Sequence, residues 1–475
     1  MKGKRVWNIQ KNYSSDEISK AEKMRDYKDK KILIMGFSLS GKAAARYLAD
    51  KGCNIYITEH REQKPDDEKE VNELTSKGIK IEFGGHSDEF LKDVDLAITS
   101  PSVPLDSELY LKLKNNGVEI ISEPDLAYWE SDAPFIAITG TNGKTTTTAL
   151  TSHILSTQYK APACGNIGDP PIAEVNNNPD YFVCEMSSYQ AVHSKYLKPK
   201  VACWTNFTPD HITWHGTLKN YFDAKAKLFI NSEYDILNGQ DKELMKWRAE
   251  NKKWQNGNDK KLYVFDKEDE KNGSYIKDNA LYFKKDGKAE KVIDIKDCPL
   301  VGHHNYQNIM CGIIIAKIVG ITNENIKSAI MSFKAPEHRL EKVREYNGIT
   351  FYNDSKATNP EASIVAIDSF NNQNVVLIAG GRDKLTSLDE FCDSVNKHIT
   401  TVILIGEATE RFDENLKKNG FNNIIKESTM ESAIDKSIEL HPDVVLLSPA
   451  CASFDMFTGF EQRGKVFKDY VLSKR

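Results

Sequence analysis

Phe135, Ile136, Ala137, Ile138, Thr139, Gly140, Thr141, Asn142, Gly143, Lys144, Thr145 and Thr146 form the stretch whose reading decides the fold. The apolar run Phe135–Ile138 has no polar alternation, so it reads as a strand buried on both faces. A turn carrying two glycines follows, and a helical pattern begins after it. Backbone N–H groups of such a turn, together with the helix N-terminus, form an anion cradle suited to phosphates. Lys144 would place a point charge near a transferring phosphate, and the Thr145 hydroxyl could hold Mg²⁺. The spacing is GxxGKTT, with Ile138 standing where a Walker A motif has its first glycine.

Outward from this turn, apolar runs alternate with helical patterns, the mark of parallel α/β sheets. Upstream lie Ile32–Met35, Asn54–Thr58, Lys80–Phe83, Leu96–Thr99 and Val118–Ile121. Beside the turn's own strand come Tyr181–Glu185, Val201–Trp204 and Ile236–Leu237. A polar stretch, Asn251–Lys291, contains Leu262–Phe265, Ser274–Ile276 and Ala280–Phe283, read as hairpins. A long helix is expected over Asn305–Val319. A third set of strands is Ile349–Tyr352, Val375–Ile378, Val402–Ile405 and Val444–Leu447. Four segments result: a flexible extension over 1–30 with a short helix around Asp16–Met24, then domains over 31–130, 131–335 and 336–475. A chain of 475 residues supports this count, at roughly 150 residues per domain.

Composition narrows the function. Basic and acidic residues number 64 and 69, a net charge of −5, which excludes a bulk nucleic-acid footprint and an anionic-membrane binder. Eight cysteines without a CxxC pair read as buried thiols of a reducing compartment. No apolar run reaches membrane-span length, and the N-terminus lacks the apolar core of a secretory signal. The expectation is a cytoplasmic multidomain protein.

Other motifs also follow strands. Gly36–Lys42 matches GxxxxGK, but Ala43 stands where a Mg²⁺-binding hydroxyl belongs. It also approximates GxGxxG, with Ser38 at the second glycine and Glu59 downstream, so a dinucleotide, another ligand or plain turn packing remain open. Glu185 ends a strand beside the phosphate loop, a natural position for a Mg²⁺ ligand. His211 follows another strand within Thr205–His211. In the last domain, Pro336–Glu341 is joined by Asn353–Asn359, Gly380–Lys384 and Ser448–Asp455. The last three follow strands directly, so their polar groups should gather at one sheet edge.

GTNGKTT, GNIG (Gly165–Gly168), EMSSYQ, TNFTPDH, YFDAKAKLF, GHHNYQN, PEHRLE, NDSKATN and LSPACASFDMFTGFEQRG occur in one order, and the combination resembles the Mur ligases from about Lys31 to the C-terminus. The phosphate loop alone would also suit folylpolyglutamate synthase. The resemblance implies three α/β domains: a Rossmann-like N-terminal domain, a central P-loop-type ATPase domain and a Rossmann-like C-terminal domain. It implies ATP-dependent amide-bond formation adding D-glutamate to UDP-N-acetylmuramoyl-L-alanine through an acyl phosphate, in peptidoglycan precursor synthesis, by a monomer acting on neither nucleic acid nor membrane.

Carried residue by residue, the resemblance implies the following site. Ser38, Leu39, Ser40 and Arg61 would hold uridine diphosphate, and Asn166 the sugar-peptide. Gly140, Thr141, Asn142, Gly143, Lys144, Thr145, Thr146, Asn305, Asn308, Arg339 and Asp354 would hold ATP. Lys356, Thr358, Lys384, Ser453 and Phe460 would take D-glutamate. Lys144, His211 and Lys225 would be catalytic, with two Mg²⁺ ions on Thr145, Glu185, His211 and a CO₂-derived carbamate at Lys225. Two positions depart from the pattern: Ser102 follows Ser100 and Pro101 where relatives have glycine, and Thr213 replaces an aspartate. Helical spacing puts Tyr221, Lys225 and Phe229 on one face and turns Lys227 toward solvent.

Overall fold

A computed structural model describes residues 27–251, 253, 261–370, 372–383 and 385–474. The expected helix at Asp16–Met24 and most of the expected extension lie outside the described residues. At the end of that extension, Tyr27 is buried in the core of the first sheet, so the ordered domain begins earlier than residue 31.

Three sheets account for the described strands. The first contains β1 (Lys31–Met35), β2 (Asn54–Glu59), β3 (Lys80–Phe83), β4 (Leu96–Thr99) and β5 (Glu119–Ser122), all parallel in the order β3-β2-β1-β4-β5. The second contains β6 (Phe135–Thr139), β7 (Ala163–Gly165), β8 (Phe182–Glu185), β9 (Val201–Trp204), β10 (Tyr234–Asn238), β11 (Leu262–Phe265), β12 (Gly273–Lys277), β13 (Ala280–Lys285) and β14 (Lys288–Asp294). Their order is β14-β13-β12-β11-β10-β9-β6-β8-β7. The third contains β15 (Glu341–Tyr346), β16 (Ile349–Asn353), β17 (Val375–Gly380), β18 (Thr401–Ile405), β19 (Ile424–Lys426) and β20 (Val444–Leu447), ordered β15-β16-β20-β17-β18-β19. Only β15 runs antiparallel there.

The central strands are parallel because their sequences are apolar throughout. Every residue of β6, β8 and β9 is buried, which requires helices on both faces. The helix Lys144–Leu155 covers β6 and β8, burying Leu150, Ile154 and Leu155. Each such side chain contributes roughly 1.5–3 kcal/mol on leaving water. Leu262–Phe265 corrects the hairpin reading: it pairs parallel to β10 and extends the sheet, while β12, β13 and β14 make the antiparallel meander. Its four buried residues explain the difference, since an exposed hairpin would alternate.

The chain divides into two compact units. One runs to Asp297 and includes Asn308–Met331; the other comprises Cys298–Gln307 and Ser332–Arg475. The first unit therefore holds two sheets, joined by polar contacts at the helix Glu123–Glu130. The buried Asp125 carboxylate accepts the N–H groups of Lys195 (2.7 Å), Tyr196 (2.8 Å) and Leu197 (2.8 Å). Beside it, Glu123 accepts the Ile172 N–H at 2.7 Å with one oxygen, and its other oxygen is buried without a partner. Among the described residues no helix is long and apolar enough to cross a membrane. The eight cysteines are all unbridged, and six are buried.

Burial pushes the Glu123 carboxyl from 4.5 up to about 8, with the Asp125 charge adding to the shift. The folded chain keeps a proton that the unfolded chain gives up above pH 4.5, so stability is lost as pH rises from there toward 8. Each pH unit in that window costs about 1.4 kcal/mol. Glu123→Gln keeps the shape and cannot ionise. Its melting temperature is expected to match the wild type near pH 5 and to exceed it progressively up to pH 8. Parallel melting curves across that range would show that Glu123 does not carry the proton.

Candidate active site

The phosphate loop occupies the carboxyl end of β6. Gly140 adopts φ +152° and Gly143 φ +80°, both in the region that favours glycine. Space agrees with backbone: a Cβ at Gly140 would stand 1.9 Å from Thr205 Oγ1, and one at Gly143 would stand 2.6 Å from Asn308 Oδ1. Gly143 caps the helix Lys144–Leu155, whose first N–H groups have no partner within the helix. Their positive end faces whatever the turn cradles.

Two lysines converge on one carbonyl. Lys144 Nζ donates to the Gly140 oxygen (3.1 Å) and the Thr141 oxygen (2.9 Å). Lys225 Nζ donates to the same Gly140 oxygen at 2.7 Å and lies 4.8 Å from the centre of the Tyr221 ring. Lys225 is 1% exposed. Burial pushes its amine well below the ordinary lysine value, and the nearby Lys144 charge pushes it the same way. Asp210 and Glu185 pull in the opposite direction and lose. Both effects favour the uncharged amine over the ammonium.

Glu185 ends β8 and is buried. Its Oε1 accepts the Asn166 amide N–H at 2.9 Å, whereas its Oε2 is buried with no hydrogen-bond partner. A desolvated carboxylate oxygen costs free energy unless a cation or donor completes it. Asn166, assigned by resemblance to the sugar-peptide, thus has its amide donor on Glu185 here.

His211 adopts φ +53° at the start of the short helix Ile212–His215 and keeps nearly half its side chain exposed. Its Nε2 lies 3.3 Å from Asp210 Oδ2, and its ring centre lies 5.1 Å from that of Tyr189. Thr145 and Thr146 open the helix behind the loop. His215, not singled out in the sequence, is buried against Ser188 Oγ at 2.9 Å; burial, with His211 and Lys225 adding, lowers it to about 4, so it is neutral.

Lys227 corrects the reading of a solvated side chain. Its Nζ donates to the Val192 carbonyl at 2.8 Å, and burial lowers its pKa to about 8. The helix Leu218–Ala226 is covered on more than one side, so a turn away from Lys225 does not lead to water. Phe229 falls in a following 3₁₀ turn, where helical spacing no longer applies.

At the first sheet, Ser38 caps the helix Leu39–Asp50 through the Gly41 N–H (3.1 Å) and meets Ser100 Oγ at 2.6 Å. Leu39 is 57% exposed at this edge. Ser40 Oγ lies 3.1 Å from Ser38 Oγ. The Glu59 carboxylate accepts the N–H groups of Phe37 (2.8 Å) and Arg61 (3.1 Å), so both its oxygens serve the turn. That commitment speaks against a ribose-binding acid of the dinucleotide kind. Arg61 pairs with both oxygens of Asp67, at 2.6 and 3.0 Å.

The second unit gathers a separate set at the carboxyl ends of its strands. Lys356 Nζ stands 3.6 Å from the Phe460 ring centre. Asp354 accepts the Leu340 N–H (3.1 Å) and the Ser448 hydroxyl (2.8 Å), and burial raises it to about 7. Arg339 lies close enough to oppose that rise. Thr358 follows in the same loop, half-buried, and Ser453 is buried in the loop after β20. Sequence reading missed Arg463, whose buried guanidinium ties these loops together. It donates to the carbonyls of Cys451 (3.0 Å) and Ser355 (2.8 Å) and to Ser355 Oγ (3.0 Å). The signal was its place in FEQRG, on the buried face of the helix Phe460–Ser473. Asn305 belongs to this unit and donates to the Val301 carbonyl at 2.7 Å, whereas Asn308 belongs to the first unit and accepts the Thr147 hydroxyl at 3.0 Å. Lys384 lies outside the described residues.

The loop, the buried lysine and the strand-end carboxylate lie in one α/β domain, with a further α/β domain before it and another after it in the sequence. Residues 30–122, 138–316 and 338–451 match family models described as the Mur ligase MurD-like N-terminal domain, the Mur ligase middle domain and the Mur ligase glutamate ligase domain. A UDP-N-acetylmuramoylalanine–D-glutamate ligase of Thermoanaerobacter sp. (strain X514) is 40% identical over 463 residues, spanning 95% of this chain and 100% of the relative. One of the same name from Clostridioides difficile (strain 630) is 38% identical over 460 residues, spanning 94% and 99%. Among solved structures, MurF from Acinetobacter baumannii superposes with a TM-score of 0.59 at 16% identity, over 92% of this chain and 93% of that one, a likeness of fold. The chain belongs to the Mur ligase family, whose members use ATP. The three-domain α/β architecture expected from the sequence is the one it has.

Proposed function

We propose that this chain joins D-glutamate to UDP-N-acetylmuramoyl-L-alanine at the expense of ATP, as a step of peptidoglycan precursor synthesis. The observation that carries the reading is the convergence of Lys144, Lys225 and the incompletely satisfied Glu185 around the phosphate loop, in a chain whose full-length relatives bear that activity in their names. The work is divided by domain: 31–130 for the uridine nucleotide, 131–335 for ATP and 336–475 for D-glutamate. The chain would act as a monomer. Unbridged cysteines and nucleotide substrates fit the cytoplasm.

Chemistry explains the apparatus. A carboxylate resists attack by an amine because oxide is too poor a leaving group. The alanyl carboxylate therefore attacks the γ-phosphorus, releasing ADP and forming an acyl phosphate. The neutral glutamate amine then attacks the acyl carbon, and inorganic phosphate departs from the tetrahedral intermediate. Two anions must meet in the first step, so charge neutralisation and positioning dominate. Lys144 supplies the fixed cation at the loop. The helix Lys144–Leu155 turns its partial positive end toward the phosphates.

The donor set fits Mg²⁺: the Thr145 hydroxyl, the partnerless Glu185 Oε2 and the His211 imidazole. Among the described residues no group of three or more His, Cys, Asp and Glu could hold a metal unaided, so phosphate oxygens and an anionic Lys225 would complete the shell. When bound, Mg²⁺ would neutralise charge on the β- and γ-phosphates. Lys225 would be carbamylated by CO₂, R–NH₂ + CO₂ giving R–NH–COO⁻ and a proton. Ser38, Leu39, Ser40 and Arg61 would hold the uridine diphosphate, and Asn166 the sugar-peptide. Asn305, Asn308, Arg339 and Asp354 would frame ATP. Lys356, Thr358, Lys384, Ser453 and Phe460 would receive the two carboxylates and backbone of D-glutamate.

The test is an acceptor panel. ADP release is measured with ATP, UDP-N-acetylmuramoyl-L-alanine and each of D-glutamate, L-glutamate, L-alanine and L-lysine. D-Glutamate alone is expected to support turnover. Equal rates with L-glutamate would replace this reading with another amide ligase of the same family.

A further inference from the structure

Asn206, within Thr205–His211, reaches into the phosphate loop with both its side chain and its backbone. Its side chain clamps one residue's backbone from both sides: Oδ1 accepts the Asn142 N–H at 2.8 Å, and Nδ2 donates to the Asn142 carbonyl at 3.1 Å. Its own carbonyl accepts the Thr141 N–H at 3.0 Å. A side-chain amide thereby completes, for the loop, the paired hydrogen bonds that a neighbouring strand would offer.

The clamp is itself braced. Thr205 Oγ1 donates to the Asn142 carbonyl at 2.6 Å, and Asn238 at the end of β10 donates to the Thr205 carbonyl at 2.8 Å. Asn238 is buried. The sheet positions Asn238, Asn238 positions Thr205 and Asn206, and these fix the loop.

We infer that Asn206 is a positioning residue that holds the phosphate loop in its binding geometry before ATP arrives, and that it does so by committing the Thr141 and Asn142 N–H groups to the protein. The phosphates are then met by the donors that begin at Gly143 and continue into the helix N-terminus, with Lys144. Without the side-chain clamp the Asn142 N–H loses its partner and its carbonyl keeps only the Thr205 hydroxyl, so the loop must be ordered at the expense of binding energy. The inference rests on the reading of this loop as the ATP site.

Asn206→Ala and Asn206→Asp test it. The aspartate keeps the size and the acceptor but places an oxygen against the Asn142 carbonyl. Binding of ATP with Mg²⁺ is measured by calorimetry, which needs no acceptor substrate and so reads the inference even if the acceptor assignment fails. Binding of the uridine nucleotide is measured on the same samples, and hydrogen exchange on the peptide spanning residues 139–146. Expected in both variants are an ATP affinity at least tenfold weaker, uridine-nucleotide affinity within twofold of wild type, and faster exchange in the loop. Unchanged ATP affinity and exchange would overturn the inference. So would equal losses for both nucleotides, which would mark Asn206 as a general structural residue. If the alanine variant does not fold, the aspartate variant decides by the same split.

Discussion

Lys144→Ala is expected to abolish ADP formation, leaving well under a hundredth of the wild-type rate. Its Nζ is held at 3.1 and 2.9 Å from the carbonyl oxygens of Gly140 and Thr141, within the turn that cradles phosphate. Arriving phosphate oxygens would exchange a neutral acceptor for a charged one, a change that roughly doubles the strength of a hydrogen bond. Charge is redistributed over the transferring group and the leaving oxygen in the transition state, so the loss falls on kcat as well as on ATP affinity. Lysine here is half-buried at the first position of a helix, where alanine is well tolerated. The melting temperature of the ligand-free variant should therefore change little. Retention of more than about a tenth of the wild-type rate, equivalent to about 1.4 kcal/mol of barrier, would remove Lys144 from the role.

Much of the architecture was legible because buried parallel strands announce themselves as unbroken apolar runs. Leu96–Thr99, Val201–Trp204 and Val444–Leu447 fall where the sequence put them. What stayed hidden had no such run. β14 reads Lys-Ala-Glu-Lys over its exposed first half and lies at a sheet edge, and β7 is three residues long. Its partner β13 decides β14, which no local pattern could supply. The site divides in the same way. Residues that sit in a motif could be named from the sequence, as Lys144 and Glu185 were. Support given by a neighbouring strand was not: Asn206, Asn238 and Arg463 act through backbone groups whose positions only the fold sets. Lys227 was misjudged because helical spacing gives direction but not what lies in that direction, here the Val192 carbonyl.

Lys225→Ala should likewise lose most activity, to about a hundredth or less of wild type, and regain part of it with millimolar formate, acetate or propionate. The physical case begins with Lys144. Two ammonium groups on one carbonyl oxygen repel each other, and burial screens that repulsion less than water would. Lys225, the more buried of the pair, has its pKa pushed well down by that burial, with the Lys144 charge adding. A neutral amine is the form that captures CO₂. The carbamate nitrogen retains one N–H, enough to keep the 2.7 Å bond to the Gly140 oxygen. The new carboxylate would bring negative charge beside Lys144 and an oxygen to Mg²⁺. An alanine leaves the space and removes the charge, so a short carboxylate diffusing in can replace part of it. Independent of turnover, wild-type protein equilibrated with ¹³C-bicarbonate should show a carbamate carbon resonance that is missing from Lys225→Ala. Full activity in the variant, or a wild-type spectrum without that resonance in the presence of Mg²⁺ and ATP, would establish Lys225 as a plain buried amine.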